Sequence, residues 1–508
     1  MTIRSLKRAP VLVVGAGIMG AGIAQVAAQA GHAVQLFDAR PGEAEQAVRR
    51  VGGGLDALVA KGRLTPAEAE DVMGRIKPLA ALEELGETRL VVEAIIEDVD
   101  AKHALFQQLE SVVPADCVLA TNTSSISVTA IANGLAHPGR LVGMHFFNPV
   151  PQMRLVEVVS GLQTDAAVAS AIFDLGRDWG KTPVHARSTP GFIVNRIARP
   201  FYAETLALLL EQAATPQVLD ACIRAAGFRM GPCELMDLIG HDTNFAVTQS
   251  VYKANFFDKR YMPSTLQREM VDGGLLGRKS GRGFYRYPEG APTPPVATPE
   301  APSTAGEVTV HGVGALADYL DMTATRTLAA QGWGPARVHD SDWTGVAIDN
   351  ARLVMTDGRS AAELAGAMGV ADLAVFDRLP GVPTAASTAI AFALAPRASH
   401  AWRTQAAAWL SALGFSPLRV ADSPGLVVAR TIAMLINEAA DAVQQGVCTP
   451  EAADQAMKLG VNYPAGPFEW LSGWAPAEVM QVLQALDDHY RGERYRVSPW
   501  LRRAAHGA

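Results

Sequence analysis

GMHFFNPVPQMRLVEVV, residues 143–159, places His145 and Glu157 twelve positions apart in a mostly apolar stretch, with Pro149 and Pro151 between them. Imidazole titrates near neutral pH and can take an alcohol proton while hydride leaves the same carbon. Such a base needs a group that fixes its ring, and a carboxylate returning on a second strand after a proline turn supplies one. Twelve residues fit a strand, a turn and a returning strand. A semi-buried histidine and a surface glutamate would satisfy the same pattern, so spacing alone does not decide.

The elements that must position this pair begin near the N-terminus. VLVVGAGIMGAGIAQVAAQAGHAVQLFD reads as strand, glycine turn, small-residue helix and second strand, ending at Asp38. In Gly15-x-Gly17-x-x-Gly20 the first glycine permits the tight turn, the second lets backbone approach a pyrophosphate, and the third lets helix and strand pack closely. Ile18 and Met19 open the helix, whose free N–H groups face the phosphates. Asp38 would accept from the adenine ribose hydroxyls and repel a 2′-phosphate, which favours NAD over NADP, although Arg40 nearby weakens that preference.

Further strand signals follow at 90–94, 118–121, 141–144, 155–159 and 182–185. The alternation predicts an α/β, Rossmann-like doubly wound domain over residues 1–187. Ligands in such sheets bind beyond the carboxyl ends of the strands. Three polar clusters stand there: Glu93 and Glu97 with Lys102 shortly after, TNTSS at 121–125, and His145 with Asn148.

GAGIMG, VVEAIIE, TNTSS, GMHFFNPVPQMRLVEVV and STPGFIVNR, in this order, resemble the 3-hydroxyacyl-CoA dehydrogenase family over residues 10 to about 287. The resemblance implies oxidation of an L-3-hydroxyacyl-CoA to a 3-ketoacyl-CoA with NAD. It makes His145 the general base, Glu157 its orienting carboxylate, Ser124 a hydrogen-bonding partner of the substrate hydroxyl and Asn195 the group completing the site near the thioester. Glu97, Lys102 and Ser124 match positions near the cofactor. Lys61 and Arg63, in LVAKGRLT, are candidates for the coenzyme A phosphates. No metal is expected, since His-x-x-x-His and carboxylate-rich ligand spacings are absent.

Residues 188–287 read as an all-α substrate or dimerisation domain, with one long helix from Thr189-Pro190-Gly191 to about Glu211 and LLGRKSGRGFYRY as either a docking tail or an inter-domain clasp. A Pro/Ala/Thr-rich linker covers 288–306. From Ser423 the sequence echoes the stretch from Thr189, with Pro424 and Glu438 each 234 positions after Pro190 and Glu204, so 421–508 is expected to be a second, degenerate helical domain. Ala429 stands where the first copy has Asn195. Between them, 307–420 shows the strand-like runs VAID, RLVMTD, LAVFD and STAIAFAL and a helix through TQAAAWLSALG without Gly-x-Gly-x-x-Gly, the signature of a reduced α/β piece that has lost cofactor binding.

This long form is closer in layout to the bacterial enzymes that oxidise 3-hydroxyadipyl-CoA in phenylacetate catabolism than to the short 3-hydroxybutyryl-CoA or medium-chain enzymes of fatty-acid metabolism. A redox-sensing dinucleotide-binding protein without turnover is the non-enzymatic alternative.

Composition sets the outer bounds. At 508 residues the chain suggests about three to four domains. A net charge of -7 gives no basic field for nucleic acid or an anionic membrane. Glycines, Gln25 and Gln29 interrupt the early apolar run, which argues against a signal peptide, and nothing approaches the roughly 20 apolar residues of a membrane span. Cys117, Cys222, Cys233 and Cys448 read as reduced thiols of a cytoplasmic protein. The expected partners are an acyl-CoA and either a second copy, as a homodimer, or the repeat itself, as an intramolecular pseudo-dimer.

Overall fold

Short apolar runs without alternation are what a parallel sheet covered on both faces demands. Val11–Val14 (β1), Leu90–Glu93 (β4) and Val118–Thr121 (β5) are buried at every position in the computed structural model, which describes residues 5–294, 302–303, 306–329, 332–381 and 388–507. With Val34–Phe37 (β2), Ile76–Leu79 (β3), Leu141–Phe146 (β6), Leu155–Ser160 (β7) and Thr182–Arg187 (β8) they form an eight-stranded sheet ordered β3-β2-β1-β4-β5-β6-β7-β8. Every neighbouring pair is parallel except β6 and β7. Strand β3 is absent from the strand signals because IKPL carries Lys77 and Pro78; an edge strand tolerates the N–H that proline lacks.

The chain divides into two compact units, Met1–Arg196 with Gln445–Val461, and Ile197–Gln444 with Asn462–Ala508. The expected module 421–508 is therefore not one body. Its helix Pro450–Gly460 packs in the first unit, and the reason is local: a Cβ on Gly460 would lie 2.7 Å from Leu155 and 3.0 Å from Val194. The expected long helix after Gly191 is also interrupted, with one turn at Val194–Ile197, a break at Ala198 and a new helix Arg199–Leu210. Pro200 removes a backbone donor and crowds the carbonyl four residues back.

In the second unit the four strand-like runs are strands. Val308–His311 (β9), Ala336–Val338 (β10), Gly345–Ile348 (β11), Ala351–Met355 (β12), Leu373–Phe376 (β13), Thr388–Leu394 (β14) and Phe415–Arg419 (β15) form a mixed sheet ordered β10-β9-β11-β12-β13-β14-β15. The turn after β9 is Gly312-x-Gly314-x-x-Ala317, with buried Ala317 in the helix-packing place of the third glycine. That alanine hides the motif from a three-glycine search. Part of the expected linker, 295–301 and 304–305, lies outside the described residues.

LLGRKSGRGFYRY folds back on its own helical segment, a contact within one domain, whereas a clasp between domains is one of the two expectations. Asp237, in the helix Pro232–Ile239, accepts from the amides of Phe284 and Tyr285 at 2.9 and 3.0 Å and from the Tyr287 hydroxyl at 2.9 Å.

The two helical copies pair reciprocally. Glu438 faces Arg260 at 3.3 Å and the Tyr261 hydroxyl at 2.7 Å, while Glu204 faces Arg494 and the Tyr495 hydroxyl, both at 3.0 Å. All three residue types recur 234 positions apart, so residue i meets j and its counterpart meets i, the signature of an isologous interface. Here one chain supplies both halves. Glu204 also accepts from buried Arg430 at 2.7 Å. Glu204→Ala strands these arginines without their shared carboxylate and is expected to lower stability by about 3–5 kcal/mol. An unchanged urea midpoint for the second unit's transition would contradict that.

Candidate active site

Backbone geometry explains the glycine turn. Gly15 has φ 101°, and a Cβ there would lie 2.5 Å from the Ala94 carbonyl oxygen. A Cβ on Gly20 would collide with the carbonyl of Gly15, whereas one on Gly17 would meet nothing within 4 Å. Open space at Gly17, before the helix Ile18–Gln29, is what a pyrophosphate requires. Ile18 is exposed at that helix start, and Met19 packs partly against the core.

Asp38 follows β2. One carboxylate oxygen accepts from the Ala16 amide of the turn at 2.8 Å, and the other from the Arg40 amide at 2.9 Å and its Nε at 3.3 Å. Burial alone would raise its pKa, but these donors and the Arg40 charge outweigh burial and hold it below the usual carboxylate value. Asp38 borders a cavity of about 640 Å³ with Leu79, Ala81, Ile95 and Leu105. It lies beyond the carboxyl ends of the first strands, where a dinucleotide's adenosine half belongs.

The polar cluster after β4 is an internal brace. Lys102 is 1% exposed, with its ammonium 2.6 Å from Glu93 and 3.3 Å from Glu97. Glu97 accepts through one oxygen from the Thr123 hydroxyl at 2.7 Å and from the Ser124 amide and hydroxyl at 2.9 and 3.2 Å. Burial works against its charge, but Lys102 and these donors hold the Glu97 pKa below the ordinary glutamate value. Lys102 therefore bears on any ligand at Ser124 through Glu97. Lys61 and Arg63 lie exposed in the turn between the helices Glu43–Ala60 and Pro66–Arg75, outside the lining of that cavity.

The antiparallel pairing of β6 and β7 puts His145 and Glu157 in register. His145 Nδ1 lies 2.5 Å from Glu157 Oε2. The other oxygen, Oε1, accepts from the amides of Ile193 and Val194 at 3.1 and 3.0 Å, so both oxygens of this fully buried carboxylate are fixed. With Nδ1–H donating to Glu157, Nε2 is left as the proton acceptor. Phe147 and Phe192 pack on the imidazole at centroid distances of 4.5 and 5.9 Å.

Asn195 Nδ2 donates to the Ser124 carbonyl at 3.3 Å, and Asn122 Oδ1 accepts from the Phe146 amide at 2.9 Å. Asn122 thus ties the serine loop to the strand end that carries His145. Sequence reasoning grouped Asn122 with its neighbours without giving it that task. It also missed Lys181, whose ammonium donates to the carbonyls of Val150 and Met153 at 2.5 and 2.8 Å and closes the proline turn between β6 and β7. Burial lowers the Lys181 pKa to about 8.

Residues 10–189 match the 3-hydroxyacyl-CoA dehydrogenase NAD-binding domain, and 191–287 with 425–507 match that family's C-terminal domain. A 3-hydroxyadipyl-CoA dehydrogenase of Escherichia coli is 42% identical over 97% of both chains. This chain belongs to the 3-hydroxyacyl-CoA dehydrogenase family. It is an NAD-dependent oxidoreductase of 3-hydroxyacyl-CoA thioesters. Residues 353–424 match a reduced Rossmann-fold domain described from 3-hydroxybutyryl-CoA dehydrogenase. A probable 3-hydroxybutyryl-CoA dehydrogenase of Deinococcus radiodurans is 42% identical over 54% of this chain and 99% of its own. The crystal structure of an Escherichia coli 3-hydroxybutyryl-CoA dehydrogenase covers 99% of both chains with TM-score 0.86 and 41% identity.

The reduced Rossmann segment repeats the kind of carboxylate-to-amide contact that Glu157 makes in the first unit. Asp377, just after β13, accepts from the amides of Val427, Val428 and Ala429 at 3.0, 2.7 and 3.0 Å. Val427 and Val428 lie 234 positions after the amides that hold Glu157. Burial raises Asp377 to about 6. Among the described residues no group of three or more His, Cys, Asp or Glu side chains is arranged to hold a metal, and no helix is long and apolar enough to cross a membrane.

Proposed function

We propose that His145 is the general base that takes the substrate's 3-hydroxyl proton, with Glu157 holding its ring and Ser124 and Asn195 as hydrogen-bonding partners at the reacting oxygen. One observation carries this reading: Glu157 spends one oxygen on the imidazole and the other on two backbone amides, so the ring's orientation is built into the fold. NAD, when bound at Gly15, Gly17, Gly20 and Asp38, supplies the hydride acceptor. Proton removal at Nε2 lets charge form on the substrate oxygen without forming free alkoxide, and Glu157 stabilises the imidazolium that results. The Glu97–Lys102 brace keeps the Ser124 loop in place.

The substrate we infer is 3-hydroxyadipyl-CoA, on the strength of the end-to-end similarity to a dehydrogenase of that name. 3-Hydroxybutyryl-CoA is the second reading, favoured by the name of the solved relative with the same end-to-end coverage. NADH formation on matched 3-hydroxyacyl-CoA substrates with and without a distal carboxylate separates them, and a kcat/KM at least about tenfold higher for the adipyl substrate is expected. Equal or reversed preference refutes the adipyl assignment, and absence of NADH with every substrate would favour a redox sensor.

Asp38→Ala is expected to weaken NAD by about tenfold and to leave NADP nearly unchanged. Equal losses, measured as kcat/KM for the two cofactors, would remove Asp38 as the selector. The reciprocal helical repeat supports a chain that works as its own pseudo-dimer. Free thiols, three of them buried, fit a cytoplasmic setting.

A further inference from the structure

Within the second unit, a cavity of about 160 Å³ opens beside the helix Arg199–Leu210. Its floor is cationic. Arg199 is 7% exposed and donates to the Thr248 hydroxyl at 3.1 Å, while Thr248 in turn donates to the Asn244 carbonyl at 3.0 Å. Arg494 lines the same space but is paired with buried Glu204 at 2.9 Å, which leaves Arg199 as the cation facing it, and the Ser264 hydroxyl, also in the lining, is buried without a hydrogen-bond partner. Among the described residues no acidic side chain lines the cavity. Burial depresses the Arg199 pKa, the direction an arriving anion would reverse.

The mouth is apolar. Leu210 and Met262 line it and are 51% and 50% exposed, and buried Leu206 lies deeper. Large apolar side chains left half in water around a charged floor describe an amphipathic ligand entering charge-first. The volume corresponds to roughly five water-sized groups, which limits the ligand to a short chain. One guanidinium fork and one hydroxyl suit a planar monoanionic carboxylate; a phosphate dianion would lose more hydration than they return.

We propose that this cavity binds a short aliphatic carboxylate, its carboxylate held by Arg199 and Ser264 and its alkyl chain against Leu206, Leu210 and Met262. The same chemistry arrives on a free short-chain acid or on the distal end of a dicarboxylic thioester. Calorimetric titration of the full chain with hexanoate and adipate, together with steady-state kinetics, tests this. Two variants are compared: Arg199→Gln removes the charge, and Ala207→Leu, on a half-buried wall position of a helix that favours leucine, narrows the space and keeps the test valid should the first fail to fold.

Saturable binding of hexanoate, weakened about tenfold or more in the variants with KM values unchanged, supports the site with a free acid as its ligand. A KM for 3-hydroxyadipyl-CoA raised about tenfold in Ala207→Leu, with that for 3-hydroxybutyryl-CoA unchanged, supports it with the thioester's distal carboxylate. Native-like affinity in the folded variants, or no saturable heat with either acid and no change in KM, overturns it. Binding of the free acids is read without turnover, so this result stands apart from the assignment of His145.

Discussion

His145→Gln is expected to reduce kcat by about 10²- to 10⁴-fold while NAD affinity stays within about twofold of native. Glutamine preserves a polar side chain at the end of β6, and its amide N–H₂ can still donate to Glu157, so the buried carboxylate keeps a partner and the strand pair its register. What glutamine lacks is a basic nitrogen, and the alcohol proton then has only water to receive it. Nothing at Gly15, Gly17, Gly20 or Asp38 changes. Single-turnover NADH formation gives the rate, and NAD titration by protein fluorescence gives the affinity. Near-native turnover would show that another group takes the proton; a parallel loss of NAD affinity would show that the substitution disturbed the fold.

The next-largest effect belongs to Glu157→Gln, for which a kcat loss of about 10²- to 10⁴-fold is expected with KM nearly constant. A glutamine amide facing Nδ1 can donate its own N–H, which favours the ring tautomer whose proton sits on Nε2, the nitrogen that must accept. The remaining carbonyl oxygen can still serve the Ile193 and Val194 amides, so the helical turn that follows need not move. The imidazolium formed during turnover also loses its counter-charge, and the acidic limb of the kcat/KM profile should move to lower pH. Rate loss with an unshifted profile would mean that Glu157 acts by supporting the backbone at Ile193 rather than by holding the ring. Glu157→Asp separates the two further: it restores the charge but shortens the reach, so partial recovery with a native-like profile is expected.

The first unit was legible in the sequence because its signals are short-range. A four-residue apolar strand, a glycine turn and a small-residue helix lie within about thirty residues, and the close approach at Gly20 is to the carbonyl of Gly15 in the same turn. The antiparallel return to Glu157 was equally local, twelve residues closed by a proline turn. Strand β3 escaped because an edge position relaxes the composition that marks a strand. The turn after β9 escaped because alanine does the packing task of the third glycine.

Residue types and their order thus determined the glycine turn, the paired His145 and Glu157, and the duplication of the helical copy. Tertiary structure decided the rest. Only there does Lys102 become a buried brace that acts through Glu97, does Lys181 hold the proline turn, and do Glu204 and Glu438 exchange partners across the repeat. The physical reason is range. Hydrophobic period and turn chemistry are fixed by residues a few positions apart, whereas the partner of a buried charge is whichever group the packed chain brings within about 3 Å, and nothing in the local sequence records it.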